Sequence, residues 1–348
     1  MVKHNLERKD KRLWTAAEGG VPITLYAAET GDDEARFVAS ELEKLAMEGV
    51  PLNSCAILYR THAQSRPFEE EFVRRGIPYA VLSGYRFYER KHIKDSISYL
   101  RLLAYPKDAI ALERVINEPP RGLGPAAVRK IVAHASEKKV PLMQAMMDAD
   151  SIKGLNRAQR KSAMDFGNLL DLMSQKASST PLHALCYELL HESGYWEALE
   201  NQGTPESESR LEDLNELIGS MKPWEGNENA LTEYLEMCSL VSDQDTYDAQ
   251  KDACIMGTLH SAKGLEFSAV FLVGVEDGSL PHERSIFDQR QLEEERRLLY
   301  VGMTRAKRFL YLSFAFSRQG YLGNSRRAVS RFIREIPREL LDVKTWED

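Results

Sequence analysis

A chain of 348 residues with 43% apolar and 28% charged side chains has room for two domains, each with its own core. Its net charge of −7 argues against a protein that coats nucleic acid by bulk charge, so any such contact must be local. The four cysteines, Cys55, Cys186, Cys238 and Cys254, are far apart and form no CxxC pair, which speaks against a zinc site or disulfide framework and suits a reducing cytoplasm.

The chain opens on "MVKHNLERKDKR", which is charged, has no apolar stretch behind it and is not a secretory signal. "ITLYAA" (23–28) reads as a strand. "DEARFVASELEKLAMEG" follows as a helix, with Phe37, Leu42, Leu45 and Ala46 at helical spacing. "CAILYR" (55–60) is a second strand, and "LYRTHAQSR" leaves it with Arg60, Thr61, His62, Gln64, Ser65 and Arg66. That mixture of cations, hydroxyls and amides suits phosphate–sugar contacts, which position a nucleic-acid strand without reading it. It equally suits the first turn of a helix over "PFEEEFVRRG". "YAVL" (79–82) completes the first cluster of strands.

From about 90 to 250 nearly everything reads as helix: "HIKDSISYLRLLAYP", "PAAVRKIVAHASEKK", "LHALCYELLHESG", "SRLEDLNELIGSM" and "NALTEYLEMCSLVSD". Within it, "PPRGLGPAAVRKIVAHA" (119–135) sets Gly122 and Gly124 around one apolar residue and Pro125 at a first helical position. Glycines let a phosphate approach the backbone and a helix start offers N–H donors, with Arg121, Arg129 and Lys130 adding cations. The same residues are good chemistry for a plain inter-helix turn.

Strands then return as "CIMGTL" (254–259), "AVFLVGV" (269–275) and "RFLYLSF" (308–314). Even "AVFLVGV", the longest apolar run, is far short of the roughly 20 residues of a spanning helix. After the first of these strands, "GTLHSAKGLEF" (257–267) offers His260, Ser261, Lys263 and Glu266 around Gly264, where a parallel sheet binds ligands. A solvated turn with incidental charges remains open. "LEEERRLLYVGMTRAKR" (292–308) reads as an amphipathic helix that places Arg297, Val301 and Arg305 on one face. Its glutamates can pair with Arg296 and Arg297 one turn on, whereas Arg305 has no acid at local spacing. Apolar strands alternating with helices indicate a parallel sheet covered on both faces. The simplest topology is one α/β domain built from both chain ends around an all-α insertion, with joints at "SGYRFYERK" (83–91) and "DQDTYDAQKD" (243–252). There is no G-x-x-x-x-G-K-[ST], no strand ending in paired acids before the second cluster, no HExxH and no G-x-S-x-G.

Four stretches, in this order, resemble the C-terminal half of the superfamily 1A DNA helicases, the UvrD/PcrA/Rep group: "ILYRTHAQSRPFEEEF", "GIPYAVLSGYRFYERKHIKDSISYLR", "GTLHSAKGLEFSAVFLVGVEDGSLPHERS" and "EEERRLLYVGMTRAKRFLYLS". The resemblance extends from "ERKDKRLWT" to "SRFIREIP". It implies an α/β fold: a RecA-like parallel-sheet domain of the P-loop NTPase kind, without a P-loop, over 1–88 and 252–348, with an inserted all-α domain over 89–251. It further implies an ATP-dependent 3′→5′ DNA helicase or translocase of repair or replication, cytoplasmic and without membrane contact. ATP with Mg²⁺ would be shared with an N-terminal RecA-like domain missing from this sequence, which also holds the metal.

By the same resemblance Arg305 is the catalytic arginine finger, and Glu266, Lys263 and His260 are cofactor-binding residues. Arg60, His62, Arg66 and His282 line a single-stranded DNA track, and Arg121, Gly122 and Gly124 grip the duplex at a single-strand/duplex junction. The sequence carries His62 where the family usually has asparagine, Ser83 for a glycine and His92 for a glutamate. Alone, the chain is expected not to hydrolyse ATP. The alternative reading is a stand-alone, non-catalytic regulator that binds DNA or a helicase.

Overall fold

The computed structural model describes residues 20–82, 84–243, 252–320 and 323–347. In chain order, β1 (Ile23–Thr30), α1 (Gly31–Met47), β2 (Cys55–Tyr59), α2 (Arg66–Arg75) and β3 (Tyr79–Val81) come first. Helices follow without a strand among the described residues: α3 (Lys91–Ala104), α4 (Ala109–Val115), α5 (Pro125–Lys138), α6 (Leu142–Met147), α7 (Arg157–Lys176), α8 (Leu182–Glu192), α9 (Tyr195–Glu200), α10 (Pro205–Ser220) and α11 (Ala230–Asp243). The chain then supplies β4 (Cys254–Thr258), β5 (Phe267–Leu272), α12 (Gln289–Met303), β6 (Ala306–Gly320), β7 (Gly323–Arg326) and β8 (Leu341–Thr345). Two compact units result, one from Met1–Phe87 with Gln244–Asp348 and one from Tyr88–Asp243.

In the first unit the sheet runs β3-β4-β2-β5-β6-β1-β8, with β7 folded back on β6. Every pairing along that path is parallel, whereas β7 runs antiparallel to β6. Parallel strands must be buried on both faces, and β2 is buried at all five positions. One face is packed by α1 and α2 through Val38, Leu42, Phe68 and Phe72 against Ile57, Met256 and Phe271. The other brings Leu299 of α12 and Phe332 against Leu58, Val270 and Leu312. This is the RecA-like α/β architecture that the resemblance implies. α1 starts where it does because Thr30 and Asp33 form a reciprocal capping box.

All six apolar runs of the sequence are strands, and two strands lie outside them. β8 is an edge strand whose two consecutive residues Asp342 and Val343 are exposed, so it lacks an apolar signature. β7, "GNSR", exists only as the return arm of the β6 hairpin.

In the second unit, Asp213 of α10 accepts from Arg90 and faces His92 Nε2, both at 2.7 Å and all buried, so His92 is an internal structural group. Arg121 is turned inward. Its guanidinium donates to the carbonyls of Val115, Ile116 and Ser193 and to the Tyr99 hydroxyl, and stacks over Phe166 at 4.5 Å. Ser83 and residues 244–251 of the second joint lie outside the described residues.

Candidate functional site

Parallel strands put the C-termini of β2, β4 and β5 on one edge of the sheet and the starts of β5 and β6 on the opposite edge. The site residues of this unit divide between these two edges.

At the C-terminal edge, Arg60 leaves β2 and His260 leaves β4 by way of one leucine. His282 sits in the loop after β5. Gln64 closes the turn after β2 by accepting the backbone N–H groups of Arg60 and Thr61, both at 2.9 Å. Glu295 of α12, nearly buried, accepts Arg60 Nε (3.1 Å) and Nη2 (2.8 Å), and also the His282 backbone N–H (3.1 Å). One carboxylate thus gathers residues that lie 235 and 13 positions away. Partial burial lowers the pKa of His260 from its ordinary 6.5, and the Arg60 charge lowers it further. His282 caps the short turn Glu283–Ser285 by accepting the Arg284 N–H at Nδ1. His62 meets the Tyr59 ring edge-on at 6.0 Å. Arg66 is only 6% exposed and pairs with Glu70 one turn along α2 at 2.6 Å, so it belongs to the helix body rather than to the open edge.

At the N-terminal edge, Glu266 precedes β5 and Arg305 precedes β6, and the strands meet in register at Phe267 and Ala306. The Phe267 N–H donates to the Arg305 carbonyl at 2.9 Å. Here the helical reading of Arg305 is corrected. α12 ends at Met303, so Arg305 shares no helical face with Arg297 and Val301. The Arg305 N–H turns back to the Gly302 carbonyl, and the chain enters β6 at once because Ala306 must pair with β5. The guanidinium is half-buried against its own domain. Nε donates to Val301 O (3.0 Å), Nη1 to Leu265 O (3.1 Å) and Nη2 to Thr304 Oγ1 (3.1 Å). No carboxylate pairs with it among the described residues. Of an arginine's five N–H groups two stay open, one on each terminal nitrogen. Lys263 and Glu266 are exposed on the turn between β4 and β5, and Glu266 faces Lys307 at 3.5 Å. Gly264 in that turn holds φ 88°, a left-handed conformation that favours glycine.

Two segments span the sheet from edge to edge: the turn 259–266 and helix α12. They touch at Gly302, where an added Cβ would collide with Leu259 and Leu272. α12's other ion pairs depart from the local pattern read in the sequence. Arg297 does pair with Glu294 at 2.8 Å, but Arg296 reaches Glu335 at 2.9 Å and Glu295 reaches Arg60.

A second buried cluster was not legible in the sequence. Arg318 of β6 donates to Glu276 (2.6 Å) and to Glu34 (2.5 Å), both carboxylates fully buried. Burial pulls the pKa of Arg318 down, but the two acids more than offset this and hold it well above its ordinary value. The acids also accept backbone N–H groups of Gly274 and Ala315, which fixes the base of the His282 loop. Partners up to 284 residues apart leave no local signal.

In the second unit Gly122 has φ 71°, a turn conformation that asks for glycine, and Gly124 precedes α5 with φ −70°. A Cβ at either position would meet nothing within 4 Å.

Residues 1–317 match the model of the UvrD-like helicase C-terminal domain family. The chain is 41% identical over 353 aligned positions to the ATP-dependent DNA helicase PcrA of Staphylococcus epidermidis strain ATCC 35984, covering 100% of this chain and 48% of that protein. It is similarly 41% identical over 348 positions to the protein of the same name from Staphylococcus aureus strain Mu50, covering 98% of this chain and 47% of that one. The chain spans about half the length of the curated relatives it matches.

Proposed function

Because this chain belongs to the UvrD-like helicase C-terminal domain family, we propose that it is the C-terminal half of an ATP-dependent DNA helicase, closing a nucleotide cleft whose phosphate cradle lies on another RecA-like lobe. The observation that carries this reading is Arg305. Its guanidinium stands at a sheet edge without an acid partner, aligned by two carbonyls and a hydroxyl, with one N–H free on each terminal nitrogen. Arg318, by contrast, is locked between two buried carboxylates and has its charge matched inside the domain.

The donor set at this edge fits the outer side of a nucleotide. Arg305 would stabilise charge on the transferring phosphoryl group, Lys263 would add a cation, and Glu266 would accept a ribose hydroxyl. When bound, ATP supplies the phosphoanhydride whose cleavage drives movement, and its Mg²⁺ would be held by the other lobe. Three-point alignment means that Arg305 is oriented before substrate arrives, so little reorganisation remains for the reaction step.

At the opposite edge, Arg60, His62 and His282 would contact the phosphates and sugars of a single DNA strand, and His260 lies between that strand and the nucleotide side. Arg66, engaged with Glu70, would hold the start of α2. In the helical unit the Gly122–Gly124 turn would meet a duplex backbone, so that the partner would be a single-strand/duplex junction. Gly124 supports this: its φ is ordinary and its surroundings are open, so no steric demand inside the protein excludes a larger residue at this helix N-cap. Arg121 would shape the turn from within.

The test is Arg305→Ala in the complete helicase. A lost arginine finger lowers DNA-stimulated ATP hydrolysis by ~10³–10⁵-fold, about 4–7 kcal/mol of barrier. Phosphate release measures it, and a loss below tenfold would reduce Arg305 to a surface group.

A further inference from the structure

We propose that Glu295 is a positioning residue that turns the open edge of the Arg60 guanidinium toward a phosphate of the single strand. The proposal rests on the strand reading of the C-terminal edge given above.

A carboxylate as deeply placed as Glu295, whose side chain is 7% exposed, is costly unless its oxygens are matched. They are matched by Arg60 Nε and Nη2 and by the His282 N–H. The backbone after β2 does not need this carboxylate, because Gln64 already closes that turn. What Glu295 adds is a two-point grip that fixes the plane of the guanidinium. Both Nη1 N–H groups and one on Nη2 stay unused among the described residues, on a side chain that is 22% exposed. That unused edge is the fork geometry a phosphate takes. The same carboxylate holds the His282 backbone, so the two strand contacts are set relative to each other by one residue. Since Glu295 lies on α12, which runs to the turn carrying Arg305, the strand contacts are anchored on the segment that leads to the nucleotide side.

The experiment follows fluorescence anisotropy of a labelled oligothymidine with the full chain across a salt series. The proteins are wild type, Glu295→Gln, Arg60→Gln, the double variant and Arg60→Lys. Glu295→Gln is expected to weaken binding about tenfold and to flatten the slope of log K against log salt by about 0.7, the signature of one lost phosphate contact on a single strand. Arg60→Gln is expected to do the same, and the double variant no more than either. Arg60→Lys keeps the charge but not the fork and should lose affinity nearly as far as Arg60→Gln. An unchanged slope in Glu295→Gln, additive losses in the double variant, tighter binding without Glu295, or full rescue by lysine each overturn the positioning role. Arg60→Lys tests it even if Glu295→Gln does not fold. If wild type shows no salt-dependent binding, the strand reading itself fails and this inference with it.

Discussion

Arg305 and Arg318 lie thirteen positions apart and are held in opposite ways. Arg318 is locked between two buried acids, whereas Arg305 rests on two carbonyl oxygens and a hydroxyl that take three of its five donors without neutralising its charge. The sequence alone distinguishes them only in part: Arg305 visibly lacks an acid at helical spacing, but nothing local reveals the partners of Arg318. Arg60 and Arg66 are likewise equivalent as letters, and only tertiary structure sends one to Glu295 and the other into α2. At this scale His260 gives a pH test. Its pKa is lowered, first by partial burial and then by Arg60. The folded chain therefore binds fewer protons there than the unfolded chain, and stability falls as the pH drops from 6.5 through the folded value. An NMR titration should place the imidazole midpoint below 6.5, and Arg60→Gln should move it upward.

Helix α12 marks where sequence periodicity stops being informative. Its apolar spacing continues through Arg305, and no glycine or proline follows Met303 to end it. The stop is imposed from outside, by the pairing of Ala306 with Phe267. Edge strand β8 and hairpin arm β7 are invisible for the converse reason, since pairing creates them where composition does not. Two glycines separate packing from function. Gly302→Ala drives a Cβ into Leu259 and Leu272 and should cost about 1–3 kcal/mol in urea unfolding, by overpacking. Gly124→Ala meets open space at an ordinary φ and gives up only the N-cap preference of glycine over alanine, about 0.5–1 kcal/mol, so it should lower the melting temperature slightly while weakening affinity for a duplex with a single-stranded end. Equal stability losses in both variants would remove the case for a backbone contact at Gly124.

As a whole the chain comprises a parallel-sheet unit and a helical unit inserted in it, and contains no P-loop sequence; on the proposed function it would supply one wall of a nucleotide cleft. Purified alone it should show no ATP turnover above background, and supplying the P-loop lobe in the same polypeptide should restore turnover that depends on Arg305. Steady hydrolysis by the isolated chain would contradict the shared-cleft reading. The sheet order has a further consequence during synthesis. β1 pairs only with β6 and β8, and β6 begins at residue 306. A ribosome adding roughly 5–20 residues per second leaves β1 without a strand partner for about 15–60 s. The helical unit, 88–243, emerges whole within that interval and can fold first on its short-range contacts. Nascent β1 therefore waits longest among the described strands for its hydrogen-bonding partners.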